Sequence, residues 1–174
     1  MSTAAAATAS EKTAGGRGGK YLTFGLSNEE YGLPILKVRE IFGLMAITAV
    51  PRTPTHVRGV INLRGQVISV VDLRSKFAMP AREPTEETCI IVVQTTCHSR
   101  KVNIGLIVDR VSEVLNIAED KIENAPDFGG SNFDPQFILG MGKIGTAVKI
   151  LLDIDRVLDA REAAAVSSHS GLEH

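Results

Sequence analysis

The chain has no tryptophan and only two tyrosines and six phenylalanines among its 174 residues. Its 19 basic and 20 acidic residues leave a formal net charge of −1. Barrels that bind nucleic acids stack bases on aromatic rings and contact phosphates through a basic surface. The sequence offers neither feature, and the single arginine within Gly15–Gly19 is a weak signal for RNA binding. We therefore expect no nucleic-acid partner.

Cysteines are few, and long apolar runs are lacking. Cys89 and Cys97 lie on either side of a predicted turn region, where a disulfide is the alternative to the favoured interpretation of two reduced, buried thiols. No apolar segment is long enough to cross a bilayer, and the polar amino end lacks the pattern of a signal peptide. We expect a cytoplasmic protein that does not insert directly into a membrane.

Both ends of the chain are expected to lie outside the folded domain. Residues 1–19 lack aromatic side chains and are rich in alanine and glycine, so they are predicted to form a disordered tail. Residues 159–174 are predicted to hold the end of a C-terminal helix, and Leu172-Glu173-His174 resembles the start of an expression tag. The functional interpretation therefore concerns residues 20–158.

A search for catalytic or metal-binding groups yields almost nothing. His169 and His174 lie in the C-terminal tail, while His56 and His98 fall in separate predicted loops without a second ligand at metal spacing. The adjacent side chains of Cys97 and His98 point apart, so a Cys–His nucleophile is not expected. The sequence predicts no catalytic residue, no metal and no cofactor, and hence a protein that is not an enzyme.

Four aspartates follow apolar strands, where a carboxylate usually caps a helix. No acid/base pair can be named from their spacing. A small enzyme using Asp109-Arg110 or Cys89 is an alternative, which the lack of a convergent set of acid and base groups disfavours. The four residues are Asp72, Asp109, Asp153 and Asp155.

The segment Gly140-Met-Gly142-Lys-Ile-Gly145 matches the G-x-G-x-x-G pattern of dinucleotide-binding folds. That pattern requires a strand before it and a helix after it within a βαβ unit. Here the following residues, Ala147–Leu152, have the composition of a strand. Nucleotide binding is therefore not expected, and an internal repeat explains these glycines instead.

The chain repeats itself in two blocks. Gly32-Leu33, Val38 and Glu40-Ile41 recur as Gly105-Leu106, Val111 and Glu113-Val114. Gly59, Leu63 and Val70–Leu73 recur as Gly140, Ile144 and Leu151–Ile154. The larger offset of the second block predicts a small insertion, for which Asp127–Phe133 is the natural place. Two related halves of one compact, strand-rich domain fit this repeat.

Within each half, apolar and polar residues alternate with the period of two that short strands show. Cys89–Val93 is apolar on both faces and is predicted to be a central strand. Near Val38–Phe42 and Val111–Leu115 the apolar spacing predicts one helical turn, and short helices are predicted at Leu73–Phe77 and Asp153–Arg161. Hairpin-linked short strands in two similar units predict two small closed barrels.

The segments Val60–Leu63 and Val67–Val71 are separated by Arg64-Gly65-Gln66, which predicts a tight hairpin with a glycine near its tip. Arg64 is permanently charged and presents a planar set of donors. If the turn at Val38–Ile41 lies under this tip, Glu40 can accept two hydrogen bonds from Arg64. An ordinary surface ion pair is the alternative interpretation.

Together these segments resemble the CheW family of bacterial chemotaxis coupling proteins, over roughly Tyr21 to Leu158. The resemblance implies a mainly β fold of two tandem SH3-like, five-stranded β-barrels with short helices, with subdomains at roughly 20–80 and 87–158. The matching segments are Gly59, Asn62-Leu63-Arg64-Gly65, Val70–Leu73, Glu30-Tyr31-Gly32, Ile35–Ile41 and Gly105–Val111.

The resemblance also implies a function. CheW-like proteins are non-catalytic adaptors that couple chemoreceptors (methyl-accepting chemotaxis proteins) to the regulatory domain of the histidine kinase CheA, in arrays on the inner face of the membrane. The groove between the barrels accepts the hairpin tip of the receptor's cytoplasmic part. The pattern does not identify the kinase-binding residues. The implied receptor-binding residues are Val38, Glu40, Ile41, Arg64, Gly65, Val108 and Val111.

Two related functions are alternatives to this one. The protein could be a CheW-like scaffold in a chemosensory pathway that does not control motility. The same fold could also belong to the kinase or to a larger coupling protein. The chain contains no phosphotransfer, nucleotide-binding or receiver domain, which favours the adaptor.

Overall fold

The computed structural model describes residues 16–97, 99–126 and 135–158, and describes Cys97 through its backbone alone. The described residues are mainly β-strand, which confirms the predicted fold class. The strands are β1 (Gly19–Leu26), β2 (Glu29–Pro34), β3 (Val38–Gly43), β4 (Val57–Leu63), β5 (Gln66–Asp72), β6 (Cys89–Cys97), β7 (Arg100–Val108), β8 (Arg110–Ile117), β9 (Ile122–Glu123), β10 (Ile138–Ile144) and β11 (Ala147–Leu152). The α-helices are α1 (Leu73–Lys76) and α2 (Ile154–Val157), and short 3-10 turns occupy Ile35–Lys37, Glu119–Lys121 and Pro135–Phe137.

The strands form two sheets, which fit two SH3-like barrels. The sheet with the order β8-β1-β2-β11-β10-β9 is named the terminal barrel, because it contains the first and last strands of the chain. The sheet with the order β3-β6-β7-β5-β4 is named the central barrel. Neighbouring strands are antiparallel except at β2–β11 and β5–β7, which pair in parallel.

The two halves of the sequence repeat exchange strands between the barrels. The hairpin β1–β2 of the first half pairs with β8 and β11 of the second half, while β3 and β5 pair with β6 and β7. The division expected from the sequence, at 20–80 and 87–158, therefore does not coincide with the two sheets. The terminal barrel takes the hairpin β1–β2 from the first half and its other strands from the second, and the central barrel takes the hairpin β6–β7 from the second half and its other strands from the first. Neither half can therefore complete a sheet alone.

Three apolar cores follow from this arrangement. The largest, named the shared core, lies between the barrels, and each barrel also has a smaller core of its own. Strand β6 serves two of them, since Ile91 packs in the shared core and Ile90 in the core of the central barrel. This position explains its apolar residues on both faces and confirms it as a central strand.

The helical turn predicted at Val38–Phe42 is wrong, because this segment is an edge strand with a bulge. Val38 lies opposite Val93 and Ile41 lies opposite Ile91, with one extra residue in β3 between the two pairs. A bulge of one residue brings positions three apart onto the same face of a strand. The spacing of three that resembles a helical turn is thus produced by a bulged strand.

The same correction applies to Val111–Leu115. Val111 and Val114 of β8 lie opposite Phe24 and Leu22 of β1, again across a register shift. Both edge strands therefore carry two apolar residues, three positions apart, on the side of the shared core.

The hairpin predicted at Arg64-Gly65 is confirmed. Strands β4 and β5 pair up to Leu63 and Gln66, and the two turn residues have φ values of 52° and 86°. Two successive positive φ values are those of a type I′ turn, which matches the twist of the flanking strands. The Asn62 Oδ1 atom accepts a hydrogen bond from the Gly65 N–H at 2.9 Å and fixes the turn.

The G-x-G-x-x-G segment forms the corresponding hairpin of the other half, as the repeat indicated. Gly140 and Gly142 lie on β10, and Gly145 lies in the turn to β11 with φ 61°. A Cβ atom at Gly140 would come within 2.5 Å of the Ile122 Cγ2 atom, so close packing against β9 requires glycine there.

The two short helices are confirmed in part. The Asp72 carboxylate accepts a hydrogen bond from the Arg74 N–H at 3.0 Å and caps α1. Helix α2 covers the beginning of the predicted segment Asp153–Arg161. Residues 159–174 and the predicted insertion Asp127–Phe133 lie outside the described residues.

The predicted disordered tail is too long by a few residues. Gly19 belongs to β1, and the Gly18 N–H donates to Glu119 Oε1 at 2.8 Å. The Arg17 guanidinium also donates to Asn124 Oδ1 at 2.9 Å. Residues 1–15 lie outside the described residues.

The alternative of a disulfide between Cys89 and Cys97 is wrong. The two cysteines are the first and last residues of β6 and do not flank a turn. An extended strand of this length separates their Cα atoms by about 26 Å, well beyond the reach of a disulfide. Cys89 is a buried free thiol, and burial raises its pKa. His98 lies outside the described residues.

Candidate functional site

The predicted pair of Glu40 and Arg64 is present. The Arg64 Nη2 atom donates to Glu40 Oε2, so the tip of the β4–β5 hairpin contacts the edge strand β3. The Arg64 side chain is 64% exposed and that of Glu40 is 36% exposed. An ion pair as exposed as this contributes little to folding. Its outer partner, the guanidinium, remains accessible to another protein.

Val38 and Ile41 extend the shared core to the surface at β3. Their cross-strand neighbours, Val93 and Ile91, are fully buried in that core. Val38 is partly buried against the core, whereas Ile41 is 44% exposed. The edge of the central barrel thus presents apolar side chains in continuity with the core between the barrels.

Strand β8 repeats this arrangement on the terminal barrel. Val111 is partly buried against the shared core, and Val114 is 49% exposed. Val114 was not among the residues predicted for the receptor site. The internal repeat could have identified Val114, because this residue is the counterpart of Ile41. We call two pairs of residues the apolar rims: Val38 and Ile41 on β3, and Val111 and Val114 on β8.

Val108 and Gly65 differ from the other predicted site residues. Val108 is 1% exposed and lies within the shared core, so its side chain is not at the surface. Gly65 occupies the hairpin turn, and a Cβ atom there would meet nothing within 4 Å. These two residues support the surface, one from beneath it and the other through the conformation of the turn.

A further exposed apolar residue precedes β3. Leu36 lies in the 3-10 turn Ile35–Lys37 and is 90% exposed. The Lys37 Nζ atom, next to it, contacts Asp155 Oδ2 at 2.8 Å, and the Thr95 hydroxyl donates to Asp155 Oδ1 at 2.6 Å. These contacts hold the turn against α2 and β6, so Leu36 projects from a fixed position.

A largely buried ion pair connects the strands of the two barrels at a different place. Arg74, after β5, donates through two nitrogen atoms to Asp109, which separates β7 from β8. The Arg74 guanidinium also donates to Ser27 Oγ at 3.0 Å and to the Pro80 carbonyl at 2.7 Å. The Ser27 N–H donates to Asp109 Oδ2 at 2.7 Å. Sequence reasoning assigned Asp109 to helix capping and missed this network, since its partners are far apart in the chain.

The electrostatics of Asp109 follow from these contacts. Burial acts to raise its pKa, but the hydrogen bonds from Arg74 and the Ser27 amide outweigh burial. Together with the charges of Arg74 and Arg82, they hold the pKa of Asp109 below the ordinary value of 3.8. The carboxylate is therefore fully charged at neutral pH and acts as a structural anchor.

A second polar cluster lies at the start of β2. The Glu30 carboxylate accepts hydrogen bonds from Ser112 Oγ at 2.7 Å and from Lys149 Nζ at 3.2 Å, with Arg110 Nη2 at 3.7 Å. Burial acts to raise the pKa of Glu30, but the Ser112 and Lys149 hydrogen bonds and the neighbouring cations lower it overall. A carboxylate balanced in this way by two cations is suited to structure and not to proton transfer.

A cavity of about 400 Å³ lies beside the buried ion pair. Its walls include Arg58, Arg74 and Arg82, of which Arg58 pairs with Asp72 and the other two with Asp109. No group of three or more potential metal ligands occurs within residues 16–97, 99–126 and 135–158. No helix of the described segments is long and apolar enough to span a membrane.

The fold and this surface define the class of protein: a module of two SH3-like barrels whose distinctive features are apolar rims and an exposed ion pair, as expected for a protein that binds other proteins. The family model described as a CheW-like domain matches residues 20–162. The chain belongs to the CheW family.

Individual relatives agree with this assignment. The chain is 38% identical over 151 residues to the chemotaxis protein CheW of Klebsiella aerogenes, covering 87% of this chain and 88% of that protein. It is 38% identical over 153 residues to the chemotaxis protein CheW of Rhizobium meliloti, covering 88% and 94%. The crystal structure of the scaffolding protein TtCheW from Thermoanaerobacter tengcongensis superposes with a TM-score of 0.72 at 33% identity, covering 83% of this chain and 97% of that one.

Proposed function

We propose that this protein is a non-catalytic adaptor that couples the cytoplasmic hairpin tips of chemoreceptors to the regulatory domain of the histidine kinase CheA and so controls kinase activity. In this proposal it has no catalytic residues and needs no cofactor. It acts in the cytoplasm and reaches the inner face of the membrane by binding receptors.

The observation that carries the proposal is the pair of apolar rims. At β3 and β8 the shared core continues to the surface through Ile41 and Val114, which are about half exposed. An amphipathic helix gains binding free energy by laying its apolar side on such a preformed surface. Val38 and Val111 form the base of these rims, and Val108 supports them from within the core.

Glu40, Arg64 and Gly65 give this surface its polar contact. Gly65 allows the tight turn that holds Arg64, and Glu40 orients the guanidinium. Polar groups at the margin of an apolar interface fix the register and the partner more than they raise affinity. The oriented Arg64 is thus suited to receptor signalling.

An adaptor with two separate interfaces on one rigid fold raises the effective concentration of each partner near the other. Two modest affinities are sufficient when receptor, adaptor and kinase lie in one array. In this proposal the kinase interface lies on the barrels.

The test is reconstitution with a soluble chemoreceptor fragment that includes the hairpin tip and with purified CheA. The expected result is co-sedimentation of all three proteins, with an autophosphorylation rate of CheA that depends on the adaptor and the receptor together. Ile41→Glu should abolish receptor retention and keep kinase retention. Val148→Glu is the matched control, because Val148 is 48% exposed but lies on the β10–β11 hairpin, outside the apolar rims. Retention of neither partner would contradict the proposal.

A further inference from the structure

The two apolar rims are equivalent in the repeat, but their charges differ. Ile41 and Val114 are counterparts, and so are the preceding residues, Glu40 and Glu113. On the central barrel the Glu40 carboxylate is paired with Arg64 at the hairpin tip. On the terminal barrel the counterpart of Arg64 is Gly145, which has no side chain to offer.

Glu113 is consequently an unneutralised carboxylate. Its side chain is exposed, and within the described part of the chain it forms no ion pair. Its backbone is nevertheless fixed, because the Thr23 hydroxyl lies 3.1 Å from the Glu113 nitrogen and 2.7 Å from its carbonyl oxygen. The carboxylate is therefore carried by a fixed position of β8, next in the chain to the half-exposed Val114.

The two hairpins are alike at the first turn position but differ at the second, where φ is positive at Gly65 and not at Thr146. Arg64 has φ 52° and Gly145 has φ 61°, so both occupy the left-handed region at the first position of a two-residue turn. A Cβ atom at Gly145 would meet nothing within 4 Å. Space would thus admit a side chain at this position, and it is the positive φ that favours glycine there.

We propose that Glu113 is a specificity-determining residue of the receptor site: it receives a basic side chain of the docked helix and thereby sets the direction in which the partner lies. This inference rests on the proposed function. Two equivalent apolar rims alone would accept a two-stranded helical tip in either of two orientations. The pair Glu40–Arg64 presents a cation at one rim, and Glu113 presents an anion at the other, so only one orientation places complementary charges at both.

The experiment compares binding of a soluble chemoreceptor fragment containing the hairpin tip to four proteins: the parent, Glu113→Gln, Gly145→Arg and the double variant. Glu113→Gln removes the charge, and Gly145→Arg neutralises Glu113 as Arg64 neutralises Glu40. Each single change should weaken binding about two- to fivefold at low salt. The difference in affinity between the parent and each single variant should become smaller as the ionic strength is raised.

The double variant decides the mechanism. If Gly145→Arg acts by covering Glu113, it should have no further effect once residue 113 is glutamine. Glu86→Gln is the control, because Glu86 is an exposed carboxylate in the segment between α1 and β6. Thermal unfolding of each variant shows whether the fold is kept, and Glu113→Gln, which leaves the turn unchanged, is informative even if Gly145→Arg does not fold.

The possible results separate the inference from the proposed function. Failure of the parent protein to bind the fragment contradicts the proposed function. Normal binding by the parent with unchanged binding by Glu113→Gln overturns the role of Glu113 alone. Additive effects in the double variant also overturn it, because the arginine would then act independently of the carboxylate.

Discussion

The guanidinium of Arg74 and the carboxylate of Asp109 meet in a two-point ion pair, with Nε–Oδ1 and Nη2–Oδ2 distances of 2.9 Å. Their side chains are 10% and 14% exposed. Asp109 lies where the chain passes from β7 of the central barrel to β8 of the terminal barrel, and Arg74 follows β5 of the central barrel. The pair therefore fixes the crossing point of the exchanged strands.

Replacing Asp109 by asparagine should destabilise the fold substantially. The change leaves the Arg74 charge buried without its partner, for which a loss of about 3–5 kcal/mol in the free energy of unfolding is typical. Urea unfolding measures this value. Lys143→Gln is the control, since Lys143 pairs with Glu123 at an exposed site and should have little effect. Equal effects of the two substitutions would show that the Arg74–Asp109 pair does not anchor the fold.

The same pair predicts a dependence of stability on pH. The folded pKa of Asp109 lies below its ordinary value, so its stabilising contribution is present above the unfolded pKa, about 3.9. It is lost as the pH falls through the lower folded pKa. The stability difference between the parent and Asp109→Asn should thus narrow from neutral pH to about pH 3. A difference that stays constant over this range would refute the assignment.

Arg64→Ala should change folding little and signalling strongly. The substitution removes an exposed ion pair, which contributes about 0–1 kcal/mol to stability, but it also removes the oriented cation at the β3 rim. Thermal unfolding should shift by at most a few degrees, while control of CheA by receptor is lost. The exchange Glu40→Arg with Arg64→Glu restores a pair with reversed polarity and should share the defect. Full rescue by the exchange would mean that the pair acts through structure alone.

A charge placed at the apolar rim should impair receptor binding, whereas a charge placed beneath the rim should impair folding. Ile41→Glu puts a carboxylate on a half-exposed side chain, so the protein should fold and lose receptor binding. Val108→Glu buries a charge in the shared core at a cost of several kcal/mol, so it should unfold or bind neither partner. Val38 and Val111 are partly buried. Replacing either with glutamate should therefore destabilise the fold more than Ile41→Glu does and less than Val108→Glu does. Unfolding of Ile41→Glu would show that this residue belongs to the core.

The purified protein should have no ATPase or phosphotransfer activity of its own. The titratable groups with lowered pKa values, such as Glu30 and Asp109, are held by cations and hydrogen bonds, and a lowered pKa makes a carboxylate a poor general base. A phosphate-release assay of a homogeneous sample checks this expectation. ATP turnover above background that persists through repeated purification would contradict it.

The sequence by itself determined the local features of this protein. The alternation of apolar residues predicts the strands, and glycine in a short gap predicts the hairpin that carries Arg64. The repeat also indicates that Gly140–Gly145 is a second hairpin. Each of these depends on residues close together in the chain, where backbone conformation and side-chain period leave a direct trace.

Tertiary structure decided the features that depend on distant residues. A spacing of three at Val38 and Ile41 is compatible with a helical turn or a bulged strand, and only pairing with β6 selects the strand. The exchange of β1–β2 between the halves also depends on the pairing of β1 with β8 and of β2 with β11, which are distant in the chain. Arg74 and Asp109 likewise meet only in the folded chain. Long-range pairing is driven by burial of the shared core, which is a property of the whole chain and has no local signal.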